Sequence, residues 1–255
     1  MSEPRGGLVV TYHAIEAGDP PLCNDPALFE EHVETLAAAS AVVLTVSELA
    51  RRAREGTLPD CAVAITFDDA FASVAEAAAP VLARFGFPAT VFPVVGHLGG
   101  ANDWATQLAH APRRPLLGGD ELRSLASAGW EVGSHGLSHR PLGAIDPAAA
   151  DAELRDSRAS LAELTGGPVT SFAFPYGSVP AEAPRRLAAA GYETGVGARP
   201  GRVDGRSDRY VLPRVDAHYL RRPARLDAAV RGRTAYLHVR GLGARARRTI
   251  RDDYR

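Results

Sequence analysis

Residues 62–69 read Ala62-Val63-Ala64-Ile65-Thr66-Phe67-Asp68-Asp69, an apolar run that stops on two adjacent carboxylates. The run reads as a strand. Successive strand residues point to opposite sides, so Asp68 and Asp69 can share one site only if the chain bends where the strand ends. A bare Asp-Asp pair serves equally as a turn, or as an N-cap for the helical pattern that follows at 71–85.

Outward from this strand, short β-rich runs alternate with helical patterns. Further strand candidates are residues 8–13, 41–46, 89–94, 130–134, 170–174, 192–196 and 210–215. Helix candidates are 26–39, 46–55, 71–85, 119–128, 147–164, 181–190 and 223–230. Asp25 and Asp146 stand before Pro26 and Pro147, a cap followed by a preset first helical residue, and Ser47 stands at the head of the second helix. Gly86, Gly129, Gly166 and Gly191 follow helix ends, where a left-handed residue is wanted. Such alternation implies an α/β fold, a mostly parallel sheet covered by helices. About seven units in one domain, residues 1–220, suit a (β/α) barrel, irregular or incompletely closed. His13, Asp68, Asp69, His135 and Tyr176 then fall at the C-terminal ends of strands, where parallel α/β folds build their sites.

Two more segments carry chemistry. In Ser134-His135-Gly136-Leu137-Ser138-His139, two histidines four apart can converge on one metal if the chain turns after His135, and imidazole suits zinc and its neighbours. Read blandly, they are two surface or core histidines. In Phe172-Ala173-Phe174-Pro175-Tyr176-Gly177 an apolar strand ends in a turn that Pro and Gly explain by themselves. The functional alternative is a backbone N–H aimed into a site.

In this order and context, the three segments resemble the polysaccharide deacetylase family, the NodB-homology carbohydrate esterases, over residues 7–216. That family folds as a distorted (β/α) barrel. The resemblance implies that Asp69, His135 and His139 hold a divalent metal, zinc or a similar ion. It further implies that Asp68 is the general base, and that the backbone N–H of Tyr176, beside Pro175, helps stabilise the oxyanion. The substrate expected from the family is an N-acetylated amino sugar. This chain departs from the commonest family pattern in three ways. Ala173 stands where an Arg is usual, no late Asp-Trp pair is found, and the late Leu237-His238 has no clean strand before it. A branch that includes bacterial poly-N-acetylglucosamine deacetylases starts instead on a strand ending in Tyr-His, as Val9-Val10-Thr11-Tyr12-His13 does here. Its strand order is in effect permuted, which makes His13 the expected general acid and His238 its rival. Leu212-Pro213-Arg214-Val215-Asp216 also looks like a segment of that branch. Arg214 is either a replacement for the missing Arg, paired with Asp68, or a surface residue. Trp104, in a Gly- and Asn-containing loop, is a candidate lining for a sugar subsite, and Trp130 reads as core.

Composition narrows the alternatives. The chain has 255 residues, 45% of them hydrophobic, and a formal net charge of −1, which excludes a disordered protein. Cys23 and Cys61 lack metal-type spacing and read as reduced thiols. The apolar run 8–10 is too short for a signal peptide, and no stretch approaches the ~20 apolar residues of a membrane span, so the expectation is a soluble cytoplasmic protein. All 29 basic residues are Arg. Residues 221–255 hold eleven Arg against three Asp, a net of +8 against −9 for the rest. This segment is expected to be a helical tail, not an independent domain, and a candidate contact to anionic lipid at the inner membrane face. No nucleic-acid partner is expected. Competing functions are deformylation or deacylation of a small or lipid-linked saccharide, a carbohydrate-binding pseudoenzyme, and a non-haem iron oxygenase built on the same two His and carboxylate.

Overall fold

The structure is a computed structural model that describes residues 6–107 and 112–233; His238 and the remainder of the Arg-rich segment lie outside the described residues. Ten strands follow in chain order: β1 (Leu8–Tyr12), β2 (Ala14–Ile15), β3 (Cys23–Asn24), β4 (Val42–Leu44), β5 (Ala62–Asp69), β6 (Thr90–Pro93), β7 (Glu131–Val132), β8 (Ser171–Ala173), β9 (Thr194–Val196) and β10 (Val215–Asp216). The α-helices are α1 (Pro26–Ala38), α2 (Val46–Glu55), α3 (Ala79–Arg84), α4 (Gly119–Ser127), α5 (Pro147–Thr165), α6 (Ala183–Ala189) and α7 (Pro223–Val230).

Seven of the strands close into a distorted parallel barrel. The main sheet runs β10-β1-β5-β6-β7, and β8 pairs with β9. Single parallel bridges complete the ring, Ser134 to Phe172 between the β7 segment and β8, and Val196 to Leu212 between β9 and the approach to β10. β4 pairs with the start of β5, outside the ring. The distortion is plain where β7 has only two residues and the closure on either side of the β8–β9 pair rests on one bridge. All eight residues of β5 are buried, because β5 is flanked by β1, β4 and β6 and covered by helices. The order β10-β1-β5 brings segments near the two ends of the described chain together as neighbouring strands, with Val10 opposite Val215 and Thr11 opposite Asp216.

Several sequence expectations need correction. The 210–215 strand starts as a turn: the N–H of Tyr210 binds the Asp208 side chain and that of Val211 binds the Asp208 carbonyl, Leu212 makes a single bridge, and regular strand pairing is confined to Val215–Asp216. The 71–85 helix starts late, as a π turn at Val74–Ala78, and becomes regular only around Pro80, which has no N–H to give the preceding turn. Thr45, not Ser47, caps α2, its Oγ accepting from the Glu48 N–H at 3.3 Å. Ser47 binds Glu131 and Thr170 instead, tying α2 to the starts of β7 and β8. Leu226, Ala229 and Val230 of α7 are buried in the same core as Val33 and Leu36 of α1, so α7 belongs to the barrel's outer layer.

Candidate active site and metal centre

The bend that Asp68 and Asp69 require is present. Asp69 and Ala70 both adopt left-handed backbone, with φ of 66° and 61°, which ends the alternation and turns both carboxylates into one buried site. Such positions cost on the order of 1–3 kcal/mol each for a side chain with a Cβ. They are held here by pairing of Asp69 with Pro93 on β6 and by the Leu117 N–H, which donates to the Ala70 carbonyl at 2.8 Å. His139 and Tyr176 are also left-handed, with φ of 56° and 57°. Among the described residues, four of the six non-glycine positive-φ residues therefore sit at this one place.

His135 follows the β7 segment and Nδ1 of its ring lies 2.7 Å from the Ala173 carbonyl. A carbonyl can only accept, so Nδ1 carries the proton and Nε2 presents a lone pair. That Nε2 lies 3.5 Å from Oδ1 of Asp69, and Nε2 of His139 lies 3.3 Å from the same oxygen. The three ligand atoms lie within 4.8 Å of one another, and all three residues are buried. Burial pushes the His135 pKa down to about 4, so it stays neutral at ordinary pH. Burial by itself would raise the Asp69 carboxyl, but His139 and His135 outweigh it and hold Asp69 ionised. Asp69 Oδ1 has no hydrogen-bond donor. One carboxylate oxygen and two imidazole nitrogens closing on a point fit zinc or a neighbouring ion, with positions left for water and substrate.

Asp68 is held differently. Arg214, just ahead of β10, forks onto it with Nη1–Oδ1 at 2.7 Å and Nη2–Oδ2 at 2.8 Å, while its Nε donates to the Gly197 carbonyl at 2.8 Å. Both residues are buried. Burial would raise the Asp68 pKa, yet Arg214 and, less strongly, His135 and His13 hold it well below the usual carboxylate range. The fork uses one lone pair on each oxygen, and each keeps another with which to accept a proton. Arg214 is thus no surface residue.

His13 sits between β1 and β2. Its neighbour Tyr12 points into the core against Phe29 and Phe67, so alternation sends His13 the other way, towards the carboxylates whose pKa values it lowers. Its Nδ1 is buried without a partner. Pro175–Gly177 forms a single tight turn in which Gly177, at φ 62°, could not carry a Cβ, since that atom would lie 2.2 Å from the Ala198 Cβ. Tyr176 is half exposed, its ring 4.6 Å edge-on from His139 and its hydroxyl donating to Thr106 Oγ1 at 2.8 Å. Burial raises its pKa, so the phenol stays protonated. Trp104 does not offer an open face to a sugar. It is 4% exposed, packed with Phe71, Val94 and Leu116, and its ring backs His139 at 4.2 Å.

Two residues at the site escaped the sequence reading. Thr106 links Tyr176 to the His139 carbonyl, to which it donates at 3.2 Å, and nothing in the sequence marks it. Glu153 binds the segment between the two histidines. It did leave a signal, since it falls on the buried stripe of α5 with Ala150, Leu154, Ser157 and Leu161.

Comparison with known proteins gives a consistent picture. The polysaccharide deacetylase family model matches residues 55–195. YxkH of Bacillus subtilis is 26% identical over 208 residues, which cover 81% of this chain and 70% of that protein. The poly-beta-1,6-N-acetyl-D-glucosamine N-deacetylase of Staphylococcus aureus is 26% identical over 196 residues, covering 73% of this chain and 65% of that enzyme. Among solved structures, the deacetylase PplD of Streptococcus pyogenes, in complex with acetate, has a TM-score of 0.72 at 22% identity, covering 84% of this chain and 92% of that one. IcaB from Ammonifex degensii has a TM-score of 0.72 at 20% identity, covering 89% and 97%. No helix among the described residues is long and apolar enough to cross a membrane.

Proposed function

The chain belongs to the polysaccharide deacetylase family, whose enzymes are hydrolases of carbon–nitrogen bonds, and we propose that it removes the N-acetyl group from an amino sugar in a polysaccharide or glycan precursor. The observation that carries this reading is the convergence of Asp69, His135 and His139 beside an Arg-clamped Asp68. Asp69, His135 and His139 would hold a divalent ion, zinc by the character of the donors, which would supply Lewis-acid polarisation of the amide carbonyl and acidify water when bound. Asp68 takes the proton of the attacking water, and Arg214 keeps it ionised and oriented to do so. The backbone N–H of Tyr176 donates to the oxygen on which negative charge develops. His13 protonates the departing nitrogen, without which an amine is a poor leaving group. Pro175 and the exposed Tyr176 ring form the wall on which the sugar rests, with Trp104 behind His139 as support and not as a stacking platform.

The test is acetate release from N-acetylglucosamine oligomers, followed on protein as purified, after chelation, and after zinc or cobalt is restored. Loss on chelation and recovery with the ion are expected. Acetate release that survives thorough chelation would rule the mechanism out.

A further inference from the structure

We propose that Glu153 is a positioning residue for the metal centre, the buried carboxylate around which the segment between His135 and His139 is folded. The proposal rests on the reading that Asp69, His135 and His139 hold the ion. Glu153 belongs to α5 and is 8% exposed. Oε2 accepts the backbone N–H groups of Leu137 at 2.6 Å and Ser138 at 3.0 Å, and Oε1 accepts the Ser138 hydroxyl. Hydrogen bonds are strong where water is excluded. Here they come from two consecutive backbone groups and the side chain of one of them, so they fix the path of the chain and not merely one side chain.

The segment is shaped to fit. Gly136 is left-handed at φ 84°, and a Cβ there would lie 3.0 Å from Oε2 of Glu153, so the wrap admits only glycine comfortably. One turn further along α5, Ser157 accepts from the Ser134 hydroxyl at 2.9 Å, and Ser134 Oγ in turn accepts the Gly136 N–H at 3.1 Å. α5 therefore grips the segment at both of its turns. The opposite side is held by backbone N–H groups of Val95 and Gly96, which donate to the carbonyls of Gly136 and Leu137. His139 comes next, at φ 56°, a conformation that persists only when its surroundings impose it. With the N–H groups of Leu137 and Ser138 released, α5 would hold only the Ser134–Gly136 end of the segment, and the stretch leading into His139 would lose the support that directs its ring at Asp69.

The experiment compares Glu153→Ala, Glu153→Gln and Ser138→Ala with the wild type. Zinc affinity is measured by competition titration, the cobalt-substituted spectrum reads coordination geometry, and thermal midpoints are taken without metal. Glu153→Ala should bind zinc ~10–100-fold more weakly, the range for loss of a residue that orients metal ligands. Its cobalt spectrum should change. Glu153→Gln should stay within about threefold of wild type, because its amide oxygen accepts both N–H groups and its nitrogen donates to Ser138 Oγ. Ser138→Ala should fall between the two. Wild-type zinc affinity and cobalt spectrum in Glu153→Ala would overturn the proposal, leaving Glu153 a purely structural residue. So would a Gln variant as damaged as the Ala variant, which would make charge the cause. If Glu153→Ala fails to fold, wild-type affinity in Ser138→Ala overturns it equally. A wild-type chain that takes up no metal would instead sink the underlying assignment, a result visible before any variant is compared.

Discussion

Asp69, His135 and His139 lie in the middle of the chain, each at or just past a strand end, and their ligand geometry is set by turns a few residues long. Arg214 and His13 come from opposite ends of the described chain and meet only because β10 pairs with β1 and β1 pairs with β5. In the proposed function the first region would hold a metal, and the second would manage charge and protons around Asp68. The difference teaches that a metal set can be written in local motifs, whereas a base, its counter-ion and its acid can be distributed over a closure of the barrel that no motif spans. The two regions should also fail differently.

The largest effect belongs to the middle region. His135→Ala and His139→Ala should each lose metal and turnover together, by more than the ~10–100-fold typical of residues that only orient ligands. Metal analysis alongside acetate release checks this, and a variant that keeps activity without metal would break the distinction.

At the closure, Arg214→Met should keep the metal but strand a buried carboxylate, costing about 3–5 kcal/mol of stability in urea unfolding. The Asp68 carboxyl should then rise, since burial is no longer opposed by the fork. Arg214→Lys should restore only part, because an ammonium cannot bind both oxygens in the planar manner of a guanidinium. If Arg214→Met loses its metal as completely as His135→Ala, the two regions are one unit and the comparison collapses.

His13→Ala should cut amide turnover by ~10²-fold at the low end of general acid–base effects, with metal content unchanged. The loss should shrink on an activated ester, whose leaving group needs no proton, and the alkaline limb of the rate profile should flatten. Because Arg214 holds Asp68 well below the usual carboxylate range, the acid limb should not report Asp68. His238→Ala showing this pattern in place of His13→Ala would move the acid out of the β1–β10 closure.

The effect of least consequence for turnover lies beneath the same closure. Tyr12, next to His13, has its hydroxyl 2.8 Å from Nδ1 of His32 in the core, and burial lowers the His32 pKa from an ordinary 6.5 to about 4. Between those values the unfolded chain binds a proton that the folded chain refuses, so stability should fall as pH drops through that window, by up to about 3 kcal/mol. His32→Gln should reduce that slope in unfolding measurements from pH 7 to 4. An unchanged slope would show that His32 is not its source.

The sequence made the barrel legible because apolar strands and capped helices alternate with few exceptions. It missed where local chemistry competes with pattern, as at Asp208, whose hydrogen bonds divert a strand, and at Pro80, which has no N–H to give the preceding turn of a helix. At the site, Asp68, Asp69, His135 and His139 are legible because they crowd strand ends. Left-handed backbone at Asp69 and His139 is not, since even for Asp and His, which adopt it more often than most residues, it is uncommon. Trp104 misled because a Gly- and Asn-containing loop suggests exposure, while a small apolar cluster buries the indole. Thr106 acts through one hydroxyl whose partners are distant in sequence, and only the folded chain reveals them.

The division of labour between two adjacent carboxylates is the centre of this account, and one paired measurement tests it: zinc content and acetate release for Asp68→Asn and Asp69→Asn. Asp68→Asn should retain its zinc and lose ~10²–10⁴ in turnover, and Asp69→Asn should lose both zinc and turnover. A metal-free Asp68→Asn, or an Asp69→Asn that still holds zinc, would contradict it.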